Sequence, residues 1–201
     1  MPDLKEIQRI CGLLDRGEIA CAEFLLQFTR QMALDVGSTR AGVRILHDLP
    51  GSRTLRCVAM YDLAKESLVS VPDIVGDAEA APYFDALVRK GTVSAELAQK
   101  NPLTSIFAAG YLVPMDVQSM LDAVLSVNGL MFGTFSCEQV GAPLKWTVRQ
   151  LGTLRRIASR ASLTLLHAVT ATIDTAPGSL WDSSSPSRLM TMPLPLDDAR
   201  R

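Results

Sequence analysis

Residues 119–146 read Ser-Met-Leu-Asp-Ala-Val-Leu-Ser-Val-Asn-Gly-Leu-Met-Phe-Gly-Thr-Phe-Ser-Cys-Glu-Gln-Val-Gly-Ala-Pro-Leu-Lys-Trp, two strand-like runs joined by Asn128-Gly129. A type I′ turn needs positive φ at both central residues, which Asn and Gly adopt at little cost, so the pair predicts a β-hairpin with a two-residue loop. Continued without interruption, that loop sets Val127 opposite Leu130, Ser126 opposite Met131 and Asp122 opposite Phe135. Leu121, Ala123, Leu125 and Val127 then share a face with Leu130, Phe132, Thr134 and Ser136. Met120, Asp122, Val124 and Ser126 share the other with Met131, Gly133, Phe135 and Cys137. Neither face is polar enough to meet water, so both strands are expected at the centre of a sheet covered on both sides. Asp122 is a lone charge within these runs and needs a partner or a polar cavity.

Outside the hairpin, composition narrows the function. The chain has 201 residues, 48% hydrophobic and 20% charged, enough to bury one core. A net charge of -1 supplies no basic field for nucleic acid or an anionic membrane. The apolar runs break well before the ~18 residues of a spanning helix, and Met-Pro-Asp-Leu-Lys-Glu at the amino end has no signal-peptide core. A soluble, cytoplasmic protein is expected. Cys11, Cys21, Cys57 and Cys137 show no C-x-x-C spacing and only His47 and His167 accompany them, so no metal site is expected and the thiols read as small buried hydrophobes.

Leu4, Ile7, Ile10, Leu13 and Leu14 recur at helical spacing, and Cys21, Leu25, Phe28 and Met32 mark a second helix that Gly37 is placed to end. A meander comes next, with strands over 41–47 and 54–62 and a third possible over 67–71. Residues 72–118 are broken by Pro72, Pro82, Pro102 and Pro114, with helical pieces expected over 80–90 and 94–100; a segment of this kind reads as a lid or binding loop. Beyond the hairpin, Thr147 and Gln150 match a capping box, and Leu151, Leu154, Ala158, Ala161 and Leu165 stripe a helix to about residue 170. The chain thus divides into three units: an amino-terminal helix over 1–18, a domain over 19–172, and a linker-like tail over 173–201.

Ser119-Met120-Leu121-Asp122, Asn128-Gly129, Gly133, Glu138, Val140-Gly141 and Trp146-Thr147 occur in the order typical of the GAF domains of bacterial signalling proteins, and over about residues 20–170 the chain resembles that family. The resemblance implies an α+β fold: an antiparallel sheet of about five or six strands, a layer of terminal helices on one face, and a ligand pocket roofed by 72–118 on the other. Val124 stands where many relatives have Pro, and Gln139 where they have His, so no relative's ligand carries over. Residues 72–118 contain no cysteine, which the redox branch of the family uses there, and no Cys-His neighbours suit a bilin.

A regulatory sensor of an unidentified small molecule is therefore expected, with no assigned cofactor and an output partner or domain still to be named. Tyr83, Phe84, Phe107, Tyr111, Asp122 and Phe135 are the expected ligand-binding residues, apolar walls around one placed charge. The alternative is a dimerisation or scaffold module whose pocket is closed by Met115, Met120 and Met131. In either case the stripes on the second and last helices should form a homodimer through a four-helix bundle. Catalysis is not expected, because no nucleophile elbow, phosphate loop, dinucleotide fingerprint or metal spacing is present.

Overall fold

The computed structural model describes residues 4–49, 52–76 and 78–174; the tail beyond 174 lies outside the described residues. Two helices, α1 (Lys5–Asp15) and α2 (Cys21–Val36), open the chain. Gly37, at φ 75°, ends α2 in the left-handed cap its position suggested. Strands β1 (Arg40–Leu49) and β2 (Ser52–Asp62) form the first pair, followed by the short β3 (Ser67–Leu68) and β4 (Ile74–Gly76). Next come α3 (Ala81–Lys90), β5 (Thr92–Ala95), and short helical turns over Ser105–Phe107 and Ala108–Leu112. The long hairpin of β6 (Val117–Val127) and β7 (Leu130–Val140) leads into α4 (Val148–Asp174).

The strands form one antiparallel sheet in the order β3-β2-β1-β7-β6-β5, with β4 also paired to β2. As the sequence predicts, the hairpin strands occupy interior positions. Residues 94–100 are not a helix: Thr92, Val93 and Ala95 are buried and Ser94 exposed, the pattern of an edge strand paired to β6 over Thr92↔Ala123 to Ala95↔Met120. The alternation is only four residues long, too short to compete with a helical reading of the same stretch, and pairing to β6 decides it.

Asn128 and Gly129 have φ 51° and 78°, as a type I′ turn requires. The register beyond the turn differs from the uninterrupted one. Val127 faces Leu130 and Ser126 faces Met131, but Leu125 faces Gly133, so Phe132 is an extra residue in a bulge. From Leu125 back to Ser119 the pairing is displaced by one, until a second shift between Val117 and Ser119 restores Val117 opposite Val140, and Asp122 stands opposite Ser136 rather than Phe135. A one-residue slip exchanges faces. Leu121, Ala123 and Leu125 therefore share the helical side with Phe135 and Cys137, while Thr134, Ser136 and Glu138 join Met120 and Asp122 on the other.

On the helical side, α2 and α4 pack against the sheet through Phe24, Phe28, Met32, Leu154, Ile157 and Ala161, and α1 lies over both with Leu4, Ile7 and Ile10. The apolar surplus that argued for a four-helix dimer is thus covered within one chain; Leu154 is fully buried, so a Glu there would attack the core. The expected capping box opens α4: Gln150 N–H donates to Thr147 Oγ1 (3.3 Å), and Thr147 N–H donates to Gln150 Oε1 (2.9 Å). Gln150 Nε2 also donates to the Val36 carbonyl at 3.0 Å, tying α4 to the end of α2. None of the four cysteines is in a disulfide, and burial pushes the Cys11 and Cys57 thiols up to about 11, away from reactive thiolate.

Candidate functional site

Below the 72–118 segment, a second core gathers Tyr83, Phe84, Phe107, Tyr111, Leu112 and Met120 against the sheet face opposite the helices. Tyr83 contacts Phe84 and Phe107 edge to face, with ring centroids 5.3 and 5.0 Å apart. Five of the six expected site residues, Tyr83, Phe84, Phe107, Tyr111 and Asp122, therefore stand on this side of the sheet. Phe135 does not: the bulge turns it into the helical core, 5.9 Å from Phe28.

The floor of this core is polar. The Tyr83 phenol donates to Asp122 Oδ2 at 2.6 Å, and the Tyr111 phenol donates to Glu138 Oε1 at 2.5 Å. Arg44 reaches the same Glu138 oxygen at 3.5 Å through Nη2, donates from Nη1 to the Pro72 carbonyl at 3.2 Å, and lies 4.5 Å from the centre of the Tyr111 ring. Arg44, Asp122 and Glu138 are all 0% exposed. Asp122 and Glu138 are diagonal neighbours on one face, because Asp122 pairs with Ser136 and Glu138 with Met120. Diagonal positions are separated by about 7–8 Å at the backbone, within joint reach of one small group.

The local sequence explains the placement. In β1, Val43 and Ile45 pack toward the helices, so Arg44 between them must face the other way, where Thr134 is its partner on β7. Tyr83 sits on α3, whose amino end is started by Pro82 and closed by Gly91 at φ 72°. The π-helical turn over Ala108–Leu112 carries Tyr111. Arg40 pins the end of the roofing segment by donating to the Met115 carbonyl at 3.1 Å while pairing with Asp62 at 2.7 Å. Arg44 and Glu138 are the residues that sequence reasoning missed. A charged residue flanked by Val and Ile was the available sign for Arg44; Glu138 was hidden by the bulge.

Three polar atoms in this floor have no hydrogen-bond partner among the described residues: Asp122 Oδ1, Glu138 Oε2 and Arg44 Nε. Burial pushes the Asp122 carboxyl from its ordinary value of 3.8 up to about 6, against the opposing pull of Tyr83, Ser136 and Arg44. Burial, then Asp122 for Tyr83 and Glu138 for Tyr111, also pushes both phenols up, so they remain protonated donors. The arrangement is thus one guanidinium set against two carboxylates, with both phenolic protons already committed. Two surface recesses, of about 290 Å³ beside Arg9 and Arg30 and about 280 Å³ beside Met60 and Leu68, lie elsewhere.

The buried carboxyl makes stability depend on pH. Because the folded pKa of Asp122 is raised, its ionisation disfavours the fold: the penalty is absent below about pH 4 and complete above about pH 6. Asp122→Asn keeps the shape and an acceptor for Tyr83 while removing the charge. The variant is expected to be about 1–2 kcal/mol more stable than wild type at pH 7, the gain vanishing near pH 4. Urea titrations at both pH values check this; a variant less stable than wild type at pH 7 would contradict it.

No protein-family model and no curated protein matches the chain. Solved structures do. The phycocyanobilin-bound GAF domain from a cyanobacterial phytochrome is similar at 14% identity and TM-score 0.62, covering 85% of this chain and 98% of that one. The GAF domain from Acinetobacter phosphoenolpyruvate-protein phosphotransferase is similar at 17% identity and TM-score 0.59, covering 85% and 97%. The blue-light absorbing form of the Thermosynechococcus elongatus PixJ GAF domain is similar at 19% identity and TM-score 0.54, covering 87% and 96%. Among the described residues, no helix is long and apolar enough to cross a membrane. The chain has a GAF-like fold.

Proposed function

We propose that the protein is a regulatory, non-catalytic sensor module of bacterial signal transduction that acts in the cytoplasm by binding a small molecule on the sheet face beneath residues 72–118. One observation carries this reading: Asp122, Glu138 and Arg44 are fully buried on that face, and each keeps one polar atom unpartnered. Such groups are costly in a core that serves packing alone. The likeness in fold to bilin-bound GAF domains is consistent with a ligand at a GAF-like sheet.

The hairpin supports a route from ligand to output. Asp122 and Glu138 alternate along β6 and β7 with Leu121, Ala123, Phe135 and Cys137, which pack on the helices behind. A ligand that displaces these strands is therefore felt by α2 and α4. Among the described residues, Leu26 and Leu34 on α2 and Val148 and Leu163 on α4 are exposed apolar residues on offer to a second copy or an output partner.

A scaffold without a ligand is the second reading, favoured by the filling of this core with Tyr83, Tyr111, Leu112 and Met120. Native mass spectrometry of the protein purified from cells separates the two. The sensor reading expects a mass excess of one small molecule that is lost on denaturation; a bare polypeptide mass from every preparation supports the scaffold.

A further inference from the structure

Resting on the sensor role proposed above, we infer that the ligand is a small protonated organic base, an ammonium, amidinium or guanidinium group with at least two N–H donors, held between Asp122 Oδ1 and Glu138 Oε2. The two oxygens belong to fully buried carboxylates, have no hydrogen-bond partner, and come from diagonal neighbours on adjacent strands. Of the donors around them, both phenols are committed, and what remains is Arg44 Nε and the hydroxyl pair of Thr134 and Ser136, 3.3 Å apart. Tyr83 is committed to Asp122 Oδ2, and Tyr111 to Glu138 Oε1. Arg44 is divided between Glu138 Oε1, the Pro72 carbonyl and the Tyr111 ring. What the floor lacks is one positive charge, since a single guanidinium faces two carboxylates.

Other ligand classes fit less well. An anion would face two carboxylates with only Arg44 Nε and the hydroxyl pair of Thr134 and Ser136 to receive it. A neutral amide could donate hydrogen bonds but would leave the surplus negative charge in a dry core. Among the described residues, no group of three or more His, Cys, Asp or Glu comes together to hold a metal ion. The walls suit an organic cation: Tyr83, Phe84 and Phe107 are aromatic, and Met115 and Met131, half-buried against the same core, can repack around a guest.

Thermal melts of the full chain at pH 7 test the assignment with four probes at matched ionic strength: acetamidinium chloride, acetamide, sodium acetate and tetramethylammonium chloride. Acetamidinium at about 10 mM, binding with a Kd of about 1 mM, should raise Tm by about 3–6 °C, and the other three should not. Asp122→Asn and Glu138→Gln should each abolish the rise; Asp122→Asn keeps the fold, so its response is readable. An equal rise with acetamide, acetate or tetramethylammonium, an undiminished rise in Asp122→Asn, or no rise in wild type would overturn the inference. A wild-type protein that ignores acetamidinium yet carries a non-basic molecule by native mass spectrometry refutes the cation and leaves the sensor role standing. One that ignores all four probes and carries nothing refutes both.

Discussion

Arg44→Met should lower stability by about 3–5 kcal/mol at pH 7, the usual consequence of stranding a buried charge by deleting its partner. Methionine fills much of the volume, so the loss is electrostatic rather than a cavity effect. Without Arg44, the Glu138 carboxylate keeps only the Tyr111 phenol, and the neighbouring Asp122 carboxylate loses the cation that restrains its rise in pKa. Asp122 then favours protonation in the fold more strongly. The part of the deficit that comes from Asp122 is therefore present at neutral pH and shrinks as the pH falls through about 6, where the folded Asp122 carboxyl is protonated in wild type as well. Adding Glu138→Leu to Arg44→Met should recover most of the loss, because an apolar pair of similar volume removes the stranded charge. Denaturant titrations of the two variants decide the matter. A loss under about 1 kcal/mol for Arg44→Met would mean that water reaches the floor and that the core there is not dry.

Gly133→Ala is expected to cost about 2–4 kcal/mol, or a fall of roughly 6–12 °C in Tm for a domain of this size. A β-carbon on Gly133 would lie 2.0 Å from the Arg44 carbonyl oxygen and 3.0 Å from the Ile45 α-carbon. Both obstacles are backbone, so no side chain can swing aside. β1 and β7 would have to separate where Ile45 pairs with Gly133, next to the bulge that sets the faces of β7. The same movement shifts Arg44 against Glu138, so stability and acetamidinium response should fall together. A melt of Gly133→Ala within about 2 °C of wild type would show that the close approach is not present in solution.

How far the sequence could be read is clearest in this hairpin. Asn128-Gly129 is a local rule: two residues that tolerate positive φ force a turn, and the interior sheet position comes from two dry faces. Gly37 and the Thr147-Gln150 box are likewise local, and each stands where its chemistry requires. The bulge at Phe132 is not local, because it depends on how closely β1 approaches Gly133, a contact between segments far apart in the chain. Missing that one residue exchanged Phe135 with the true occupants of the site face, Ser136 and Glu138. Asp122 was legible as a charge that must be compensated, yet its partner, Tyr83, could be placed only by a fold bringing α3 over β6. Similarly, Arg44 gained its meaning from the register with β7. The apolar stripes behind the dimer expectation pack within the chain against the sheet and α1, a tertiary choice to which periodicity alone is blind.

The most direct test is a crystal structure of the protein grown with acetamidinium at a concentration that raises Tm. A cation site on this floor predicts density for the amidinium between β6 and β7, its nitrogens about 2.7–3.1 Å from Asp122 Oδ1 and Glu138 Oε2. Arg44 should still lie on the Tyr111 ring. Density confined to the molecular surface, with Asp122 and Glu138 unchanged, would contradict it.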